Sequence, residues 1–234
     1  MNSLLISLFL YLSNMIWIFG DSYSTSFNHT SVFNNWGREY INLKGYVPKT
    51  FGDIISDELN VGVNHMAIGG IGNDSIFEMI CDNVPLISKN DIIIIGWSSI
   101  VRYRLSGKSN QWVTVIPNFE THMDNLINIS ESTMEELLIN RTSSLFREEF
   151  KKRKEFLNWL FKENIIIHWT PFYDQFNVIS GYSSINTIES ETNGKIKDGH
   201  YSETGHQELA KNFLDLIHDD VKRNLSNSIS KKLL

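Results

Sequence analysis

Two short stretches, far apart in the chain, hold the residue types that nucleophilic ester chemistry requires. Residues 18–24, IFGDSYS, place Ser22 just after an apolar run that ends in Gly-Asp. Residues 195–210, KIKDGHYSETGHQELA, place Asp198 two positions before His200. A histidine held by a carboxylate can take a serine proton, because the acid fixes the tautomer and stabilises the imidazolium that forms. The sequence therefore suggests Ser22 as a nucleophile, His200 as its base and Asp198 as the orienting acid.

Other polar residues in or near these stretches have simpler, structural interpretations. Asp21 is predicted to bond loop amides after the first strand. His206 falls inside the last predicted helix, which favours a polar helix residue or a contact behind the site over a second base. His168 lies in a predicted strand between two apolar residues, which favours a hydrogen-bonded core histidine.

Strand-like and helix-like segments alternate along the chain. Residues 91–96, DIIIIG, carry four consecutive isoleucines, and such a β-branched run is typical of a central parallel strand. Residues 73–75, Asn-Asp-Ser, are predicted to supply the N-cap of the helix that follows. This alternation predicts an α/β domain with a mostly parallel sheet and helices on both faces. The predicted strands are 15–19, 61–68, 91–96 and 164–169, and helical spacing covers 51–59, 73–84, 146–161 and 209–221, with a less regular helix at 119–139.

These elements must bring the candidate residues together at one edge of the sheet. In open α/β sheets, binding sites lie beyond the carboxyl ends of the strands. Ser22 lies in the first loop at that edge, the glycine-rich residues 69–73 fill the second, and residues 97–99 fill the third. The four predicted loops follow Phe19, Ile68, Ile95 and Trp169.

The chain resembles the SGNH (GDSL-type) hydrolase superfamily in these motifs. Residues 20–24, GDSYS, stand near the start, and Asp198 and His200 stand just before a terminal helix. Residues 67–74, AIGGIGND, resemble the second block of that family, which contributes an oxyanion glycine. The resemblance covers most of residues 15–222. It implies a three-layer α/β/α sandwich with a flavodoxin-like central sheet of about five strands.

The resemblance also implies a reaction and a site. Ser22 would be the nucleophile, His200 the base and Asp198 its orienting acid, and the backbone N–H groups of Ser22 and Gly70 would donate to the oxyanion. Members of the superfamily act on esters without a metal, so no cofactor is expected. The first expectation is a short acyl group, such as O-acetyl on carbohydrate. An O-acyltransferase and a catalytically weakened glycan-binding module on the same fold are the alternatives.

Two departures from the family pattern bear on activity. The third block usually reads Gly-x-Asn-Asp, with the asparagine donating to the oxyanion, whereas residues 96–99 read GWSS. Ser98 has a hydroxyl at the matching position, and Asn73 in the second loop is the alternative donor. Losing one oxyanion donor costs about 3 kcal/mol of transition-state stabilisation. The acid usually stands three residues before the histidine, whereas Asp198 stands two before, and Tyr201 fits a variant with an aromatic after that pair.

Composition limits the remaining possibilities. The 234 residues suit one globular domain, predicted at 15–225, with a tail at 226–234. The net charge of −6, without a Lys/Arg stripe, argues against a nucleic-acid partner. Residues 1–14 are an extension or a possible signal or anchor segment. A cytoplasmic location is slightly favoured over secretion, no membrane partner is expected, and the partner is a small-molecule or carbohydrate ester.

Overall fold

The computed structural model describes residues 15–27, 35–99, 102–106, 112–115, 136, 144–172 and 186–232. The predicted extension at 1–14 and, apart from Glu136, the predicted helix at 119–139 lie outside these residues. The strands are β1 (Met15–Gly20), β2 (Gly62–His65), β3 (Ile92–Gly96), β4 (Tyr103–Ser106), β5 (Trp112–Val115) and β6 (Ile165–Trp169). The helices are α1 (Asn35–Lys44), α2 (Phe51–Leu59), α3 (Asn73–Asn83), α4 (Ser144–Leu160), α5 (Ile188–Glu191) and α6 (Glu203–Lys232).

Four parallel strands form the central sheet in the described part of the chain, in the order β2-β1-β3-β6. Ile16 of β1 pairs with both Val63 of β2 and Ile92 of β3, and Ile92 also pairs with Ile165 of β6. This is the beginning of the flavodoxin-like order, in which the second strand lies outside the first. The sequence predicted about five strands. A separate antiparallel pair, β4 and β5, follows the third strand.

The isoleucine run of β3 explains why the sheet lies between two layers of helices. Successive side chains of a strand point to opposite faces. Ile92 and Ile94 therefore enter one core, Ile93 and Ile95 enter the other, and all four are fully buried. Burying each such side chain stabilises the fold by about 1.5–3 kcal/mol.

Helices cover both faces of the sheet, which confirms the predicted three-layer α/β/α sandwich. On one face α2 and α6 pack against the sheet, and on the other α3 and α4 do so. The first face receives Phe51, Ile55, Leu209, Phe213 and Ile217, and the second receives Ile76, Ile80, Phe150 and Leu157. Among the described helices, none has the length and apolar character needed to cross a bilayer.

Local boundaries differ from the sequence prediction in several places. The prediction of an N-cap within residues 73–75 was wrong, because Gly72 is the extended N-cap residue and Asn73 is the first residue of α3. Strand β2 is shorter than 61–68, although Met66 and Ile68 still donate backbone hydrogen bonds to β1. Helix α6 continues past residue 225, where the predicted tail begins. Helix α1 and the β4–β5 hairpin were not predicted.

Candidate active site

The loop after β1 carries Ser22 over the end of the sheet. Gly20 ends the strand, and a Cβ at that position would lie 2.8 Å from the carbonyl oxygen of Gly96. Only a residue without a side chain fits there without displacing backbone, because real Cβ atoms do not approach that closely. The N–H of Ser24 then bonds the carbonyl of Asp21 at 2.9 Å and closes the turn around Ser22. The glycine of the motif thus allows the loop to fold back tightly.

Ser22, His200 and Asp198 meet at this edge, although 178 positions separate the serine from the histidine. His200 Nε2 lies 2.8 Å from Ser22 Oγ, and His200 Nδ1 lies 2.6 Å from Asp198 Oδ1. An ionised carboxylate can only accept, so Nδ1 carries the ring proton and donates it. The lone pair of Nε2 then faces the serine hydroxyl, which is the arrangement a general base requires.

The short Asp-x-His spacing is sufficient to join Asp198 to His200. Oδ1 of Asp198 accepts the backbone N–H of His200 at 2.8 Å as well as the ring N–H. One carboxylate oxygen therefore fixes both the local backbone and the ring of His200. Tyr23 packs against the same ring, with the two centroids 4.6 Å apart.

Helix α5 holds the segment that carries Asp198 and His200. The N–H of Ile188 donates to the carbonyl of His200 at 2.8 Å, and the N–H of Glu189 donates to the carbonyl of Asp198 at 3.0 Å. The first amides of a helix have no partner within it. Here these amides fix the backbone of both residues, so the segment from Asp198 to His200 is held on its backbone side as well.

Asp21 organises the Ser22 loop from inside the protein, where it is 1% exposed. It accepts the backbone N–H of Tyr23 at 3.1 Å, which confirms the prediction that it bonds a loop amide. It also accepts the hydroxyl of Ser98 and a guanidinium N–H of Arg102, each at 2.9 Å. Sequence reasoning missed Arg102, and its position four residues after Ser98 in a loop at the site edge was the only available signal.

Asn73 and Ser98 join the second loop to the third. Asn73 Oδ1 accepts the backbone N–H of Ser98 at 2.7 Å, and Asn73 Nδ2 donates to the Ser98 carbonyl at 3.0 Å. Both residues are buried. The single hydroxyl proton of Ser98 is donated to Asp21, so this hydroxyl could serve an oxyanion only if Asp21 released it. Their predicted role as oxyanion donors stays a prediction.

The predicted backbone donors are Ser22 and Gly70. Gly70 adopts a left-handed conformation with φ of 83°, which a side chain would strain. Within the described residues, neither the N–H of Ser22 nor that of Gly70 donates to another protein group. The two loops therefore present two unused N–H groups at the carboxyl edge of the sheet.

Two other histidines are structural. His168 Nδ1 accepts the indole N–H of Trp97 at 3.1 Å, and its Nε2 lies 3.0 Å from Asn158 Oδ1, so the predicted hydrogen-bonded histidine is confirmed. His206 Nδ1 accepts the backbone N–H of Phe51 at 3.3 Å, which satisfies the first amide of α2. Burial lowers the pKa of both histidines to about 3.

Among the described residues, no three His, Cys, Asp or Glu side chains are grouped as a metal ion would require.

The fold and this edge of the sheet define a three-layer α/β protein with adjoining serine, histidine and aspartate side chains.

Comparisons with known proteins found a distant likeness to a solved structure. No family model matches the chain, and no curated protein sequence matches it. A solved structure, described as a carbohydrate esterase whose active site displays divergent catalytic and non-catalytic binding functions, aligns with a TM-score of 0.40. It is 12% identical and covers 89% of this chain and 68% of its own. At that score the likeness supports no conclusion about activity.

Proposed function

We propose that this protein is a serine ester hydrolase of the SGNH (GDSL) type, with Ser22 as the nucleophile and His200 as its base. The observation that carries the proposal is the 2.8 Å contact between Ser22 Oγ and His200 Nε2, with Asp198 on the far side of the ring. A nucleophile, a base and a group that orients the base within hydrogen-bond reach are the signature of covalent catalysis.

The reaction proceeds in two halves. Ser22 Oγ attacks the ester carbonyl while its proton passes to His200 Nε2, and the carbonyl oxygen becomes an oxyanion. The N–H groups of Ser22 and Gly70 stabilise that charge. Collapse of the intermediate breaks the ester C–O bond, and His200 returns the proton to the leaving alcohol. Water then attacks the acyl-serine with His200 again as the base, which releases the acid and restores Ser22.

Asp198 keeps His200 competent through both halves. It accepts the Nδ1 proton and so prevents the tautomer in which Nε2 is protonated and cannot act as a base. It also stabilises the imidazolium that forms transiently.

The proposed substrate is a short-chain acyl ester, with a carbohydrate as the alcohol. The ring of Tyr23 packs against that of His200, and Phe172 lies in edge contact with Tyr23 at 5.7 Å. Aromatic faces suit the apolar faces of sugar rings.

A fluorophosphonate probe tests the nucleophile directly. We expect the probe to label Ser22, as located by mass spectrometry, and Ser22→Ala to lower kcat/KM for p-nitrophenyl acetate by several orders of magnitude. Ser24→Ala is the matched control, because Ser24 lies two residues further along the same loop and should leave labelling intact. Labelling at Ser24 or Ser98 instead would overturn the assignment.

A second candidate function is a catalytically weakened glycan-binding module. The observation that favours it is that the polar groups of Ser98 and Asn73 are already engaged within the protein. This alternative predicts glycan binding that Ser22→Ala leaves unchanged, measurable by calorimetry, and no serine-dependent turnover. Turnover that Ser22→Ala abolishes would exclude it.

A further inference from the structure

We propose that Arg102 is a positioning residue that sets the distance between the two backbone N–H groups of the oxyanion site. This inference rests on the proposed function. It concerns a residue that lies on neither of the two loops carrying those N–H groups.

One guanidinium nitrogen joins the two loops. Nη1 of Arg102 donates to Oδ2 of Asp21 at 2.9 Å and to the backbone carbonyl of Ile71 at 3.4 Å. Asp21 directly precedes Ser22, and Ile71 directly follows Gly70. The nitrogen therefore bonds the immediate chain neighbour of each proposed oxyanion donor.

The backbone of Arg102 also touches the second loop. A Cβ placed on Gly72 would lie 2.9 Å from the carbonyl oxygen of Arg102, so the glycine permits this close approach. Arg102 thus contacts the glycine-rich loop through both its side chain and its main chain. Two separate contacts restrict the loop more than one would, because a rotation about either contact strains the other.

Burial makes the bridge stiff. The side chain of Asp21 is 1% exposed and that of Arg102 is 14% exposed, so water screens their charges poorly. Hydrogen bonds between ionised groups are short and about twice as strong as neutral ones. The same carboxylate accepts the Tyr23 amide and the Ser98 hydroxyl, so movement of Arg102 would disturb the turn around Ser22.

The consequence is catalytic because oxyanion stabilisation depends steeply on geometry. Donors must lie roughly 2.7–3.1 Å from the oxygen in the transition state. A misplacement of about 1 Å can cost about 100-fold in rate. A guanidinium can bond a carboxylate and a carbonyl in fixed directions, whereas a lysine ammonium is a point charge on a flexible stem.

The test compares Arg102→Met and Arg102→Lys in the 234-residue chain, with p-nitrophenyl acetate as the probe substrate. We expect Arg102→Met to lower kcat about 10- to 100-fold with KM changed less than about threefold, as befits an interaction expressed in the transition state. Arg102→Lys should recover part of the loss. Arg153→Met is the matched control, because Arg153 is also partly buried and paired with an aspartate, Asp74, outside the site. It should leave kcat unchanged.

A double variant separates positioning from stability. Arg102→Met leaves the Asp21 charge buried without its cation, and the variant can fail to fold for that reason alone. Arg102→Met combined with Asp21→Asn removes both charges and keeps an acceptor for the Tyr23 amide. We expect this double variant to regain thermal stability without regaining kcat. Recovery of kcat together with stability would overturn the positioning role.

Labelling with the fluorophosphonate distinguishes a failure of the proposed function from a failure of the role proposed for Arg102. If the wild-type protein is not labelled at Ser22, the proposed function fails. If the wild-type protein is labelled and folded Arg102→Met retains normal kcat, the proposed function stands and this inference is wrong.

Discussion

The two halves of the candidate site are held by contrasting networks. On the nucleophile side, Asp21 bonds Ser98 and Arg102 at a point where the carboxylate and the hydroxyl are almost inaccessible to water. On the histidine side, Lys44 of α1 bonds Glu191 of α5 at 2.8 Å and Glu203 of α6 at 3.1 Å, and these side chains remain 18–24% exposed. One half is a buried charge pair, whereas the other is a partly hydrated cluster.

Tyr40 connects the histidine-side cluster to the core. Its hydroxyl donates to Glu191 Oε1 at 2.6 Å and accepts the backbone N–H of Glu203 at 2.9 Å, while its ring is fully buried. Burial opposes ionisation of Glu191, but hydrogen bonds from Lys44 and Tyr40 outweigh burial and lower the pKa of Glu191 to about 2. The cluster ties α5, which holds the Asp198–His200 backbone, to the start of α6.

The contrast indicates how each half should respond to perturbation. Removing one member of a buried pair leaves an uncompensated charge in a poorly hydrated place, which is costly. Removing one member of a hydrated cluster lets water replace it at little cost. The nucleophile side should therefore be sensitive to single substitutions, and the histidine side should be tolerant and salt-dependent.

Asp21→Ala should have the largest effect. It leaves Arg102 without its carboxylate and the Ser98 hydroxyl and the Tyr23 amide without an acceptor, and we expect a loss of about 3–5 kcal/mol in unfolding free energy. Urea denaturation measures it. Asp21→Asn is the control, because its carboxamide oxygen still accepts, and it should cost clearly less. Equal losses for the two variants would show that the charge of Asp21 is unimportant.

Acid should destabilise the fold as a whole, because His168 and His206 are both held in the neutral form by burial. The folded-state pKa of His168 and of His206 is about 3, below the ordinary value of 6.5. Between these values the unfolded chain binds protons that the folded chain does not, so stability is highest above pH 6.5 and falls as the pH drops. The expected slope is about 1.4 kcal/mol per pH unit for each histidine.

The variants His206→Asn and His168→Asn test whether each histidine contributes to this pH dependence of stability. Asparagine keeps an acceptor near the position of Nδ1 but does not titrate. Each variant should therefore reduce the slope of unfolding free energy against pH by the contribution of one histidine. Urea denaturation at several pH values between 4 and 7 measures that slope. A slope unchanged in both variants would contradict the assignment.

Tyr40→Phe should have an intermediate effect. It removes the acceptor of the Glu203 amide while keeping the ring in the core, and we expect a loss of about 1–2 kcal/mol. Tyr46→Phe is the matched control, because the Tyr46 hydroxyl also bonds Glu203, in this case by donating to its carboxylate at 2.6 Å, and Tyr46 is 52% exposed. A larger loss for Tyr46→Phe in thermal unfolding would reverse the expected order of buried and exposed bonds.

Lys44→Met should have the smallest effect of the series. Partly hydrated ion pairs contribute about 0–1 kcal/mol, and salt screens them. The difference in unfolding free energy between wild type and variant should shrink between about 0.05 and 0.5 M NaCl. The Debye length, about 10 Å at 0.1 M, decreases steadily over that range. Lys152→Met removes an exposed i,i+4 pair with Glu148 and should change nothing measurable. A large, salt-independent loss for Lys44→Met would contradict the contrast between the two halves.

The sequence predicted an element correctly where its residue pattern was compatible with one kind of secondary structure. The four isoleucines of β3 predicted a strand buried on both faces. Successive side chains of a strand point to opposite faces of the sheet, so an all-apolar run needs a helix layer on each face. Helix α2 was predicted from apolar spacing, and its capping box between Thr50 and Asp53 supports the start. By contrast, Asn73 matched an N-cap by residue type, yet its carboxamide bonds the Ser98 backbone instead. A polar side chain has several possible partners, and the sequence does not rank them.

The sequence by itself determined the order along the chain of the four strands of the central sheet and of the main helices between them, and therefore the edge at which the Ser22 loop emerges. Local periodicity and chain connectivity suffice for that, because parallel strands place all their carboxyl ends together. Only the tertiary structure decided which polar groups meet there. The bonds from Arg102 to Asp21 and from Asn73 to Ser98 join residues 81 and 25 positions apart. Such contacts depend on how the loops pack against each other in the folded protein, and no local sequence pattern encodes that geometry.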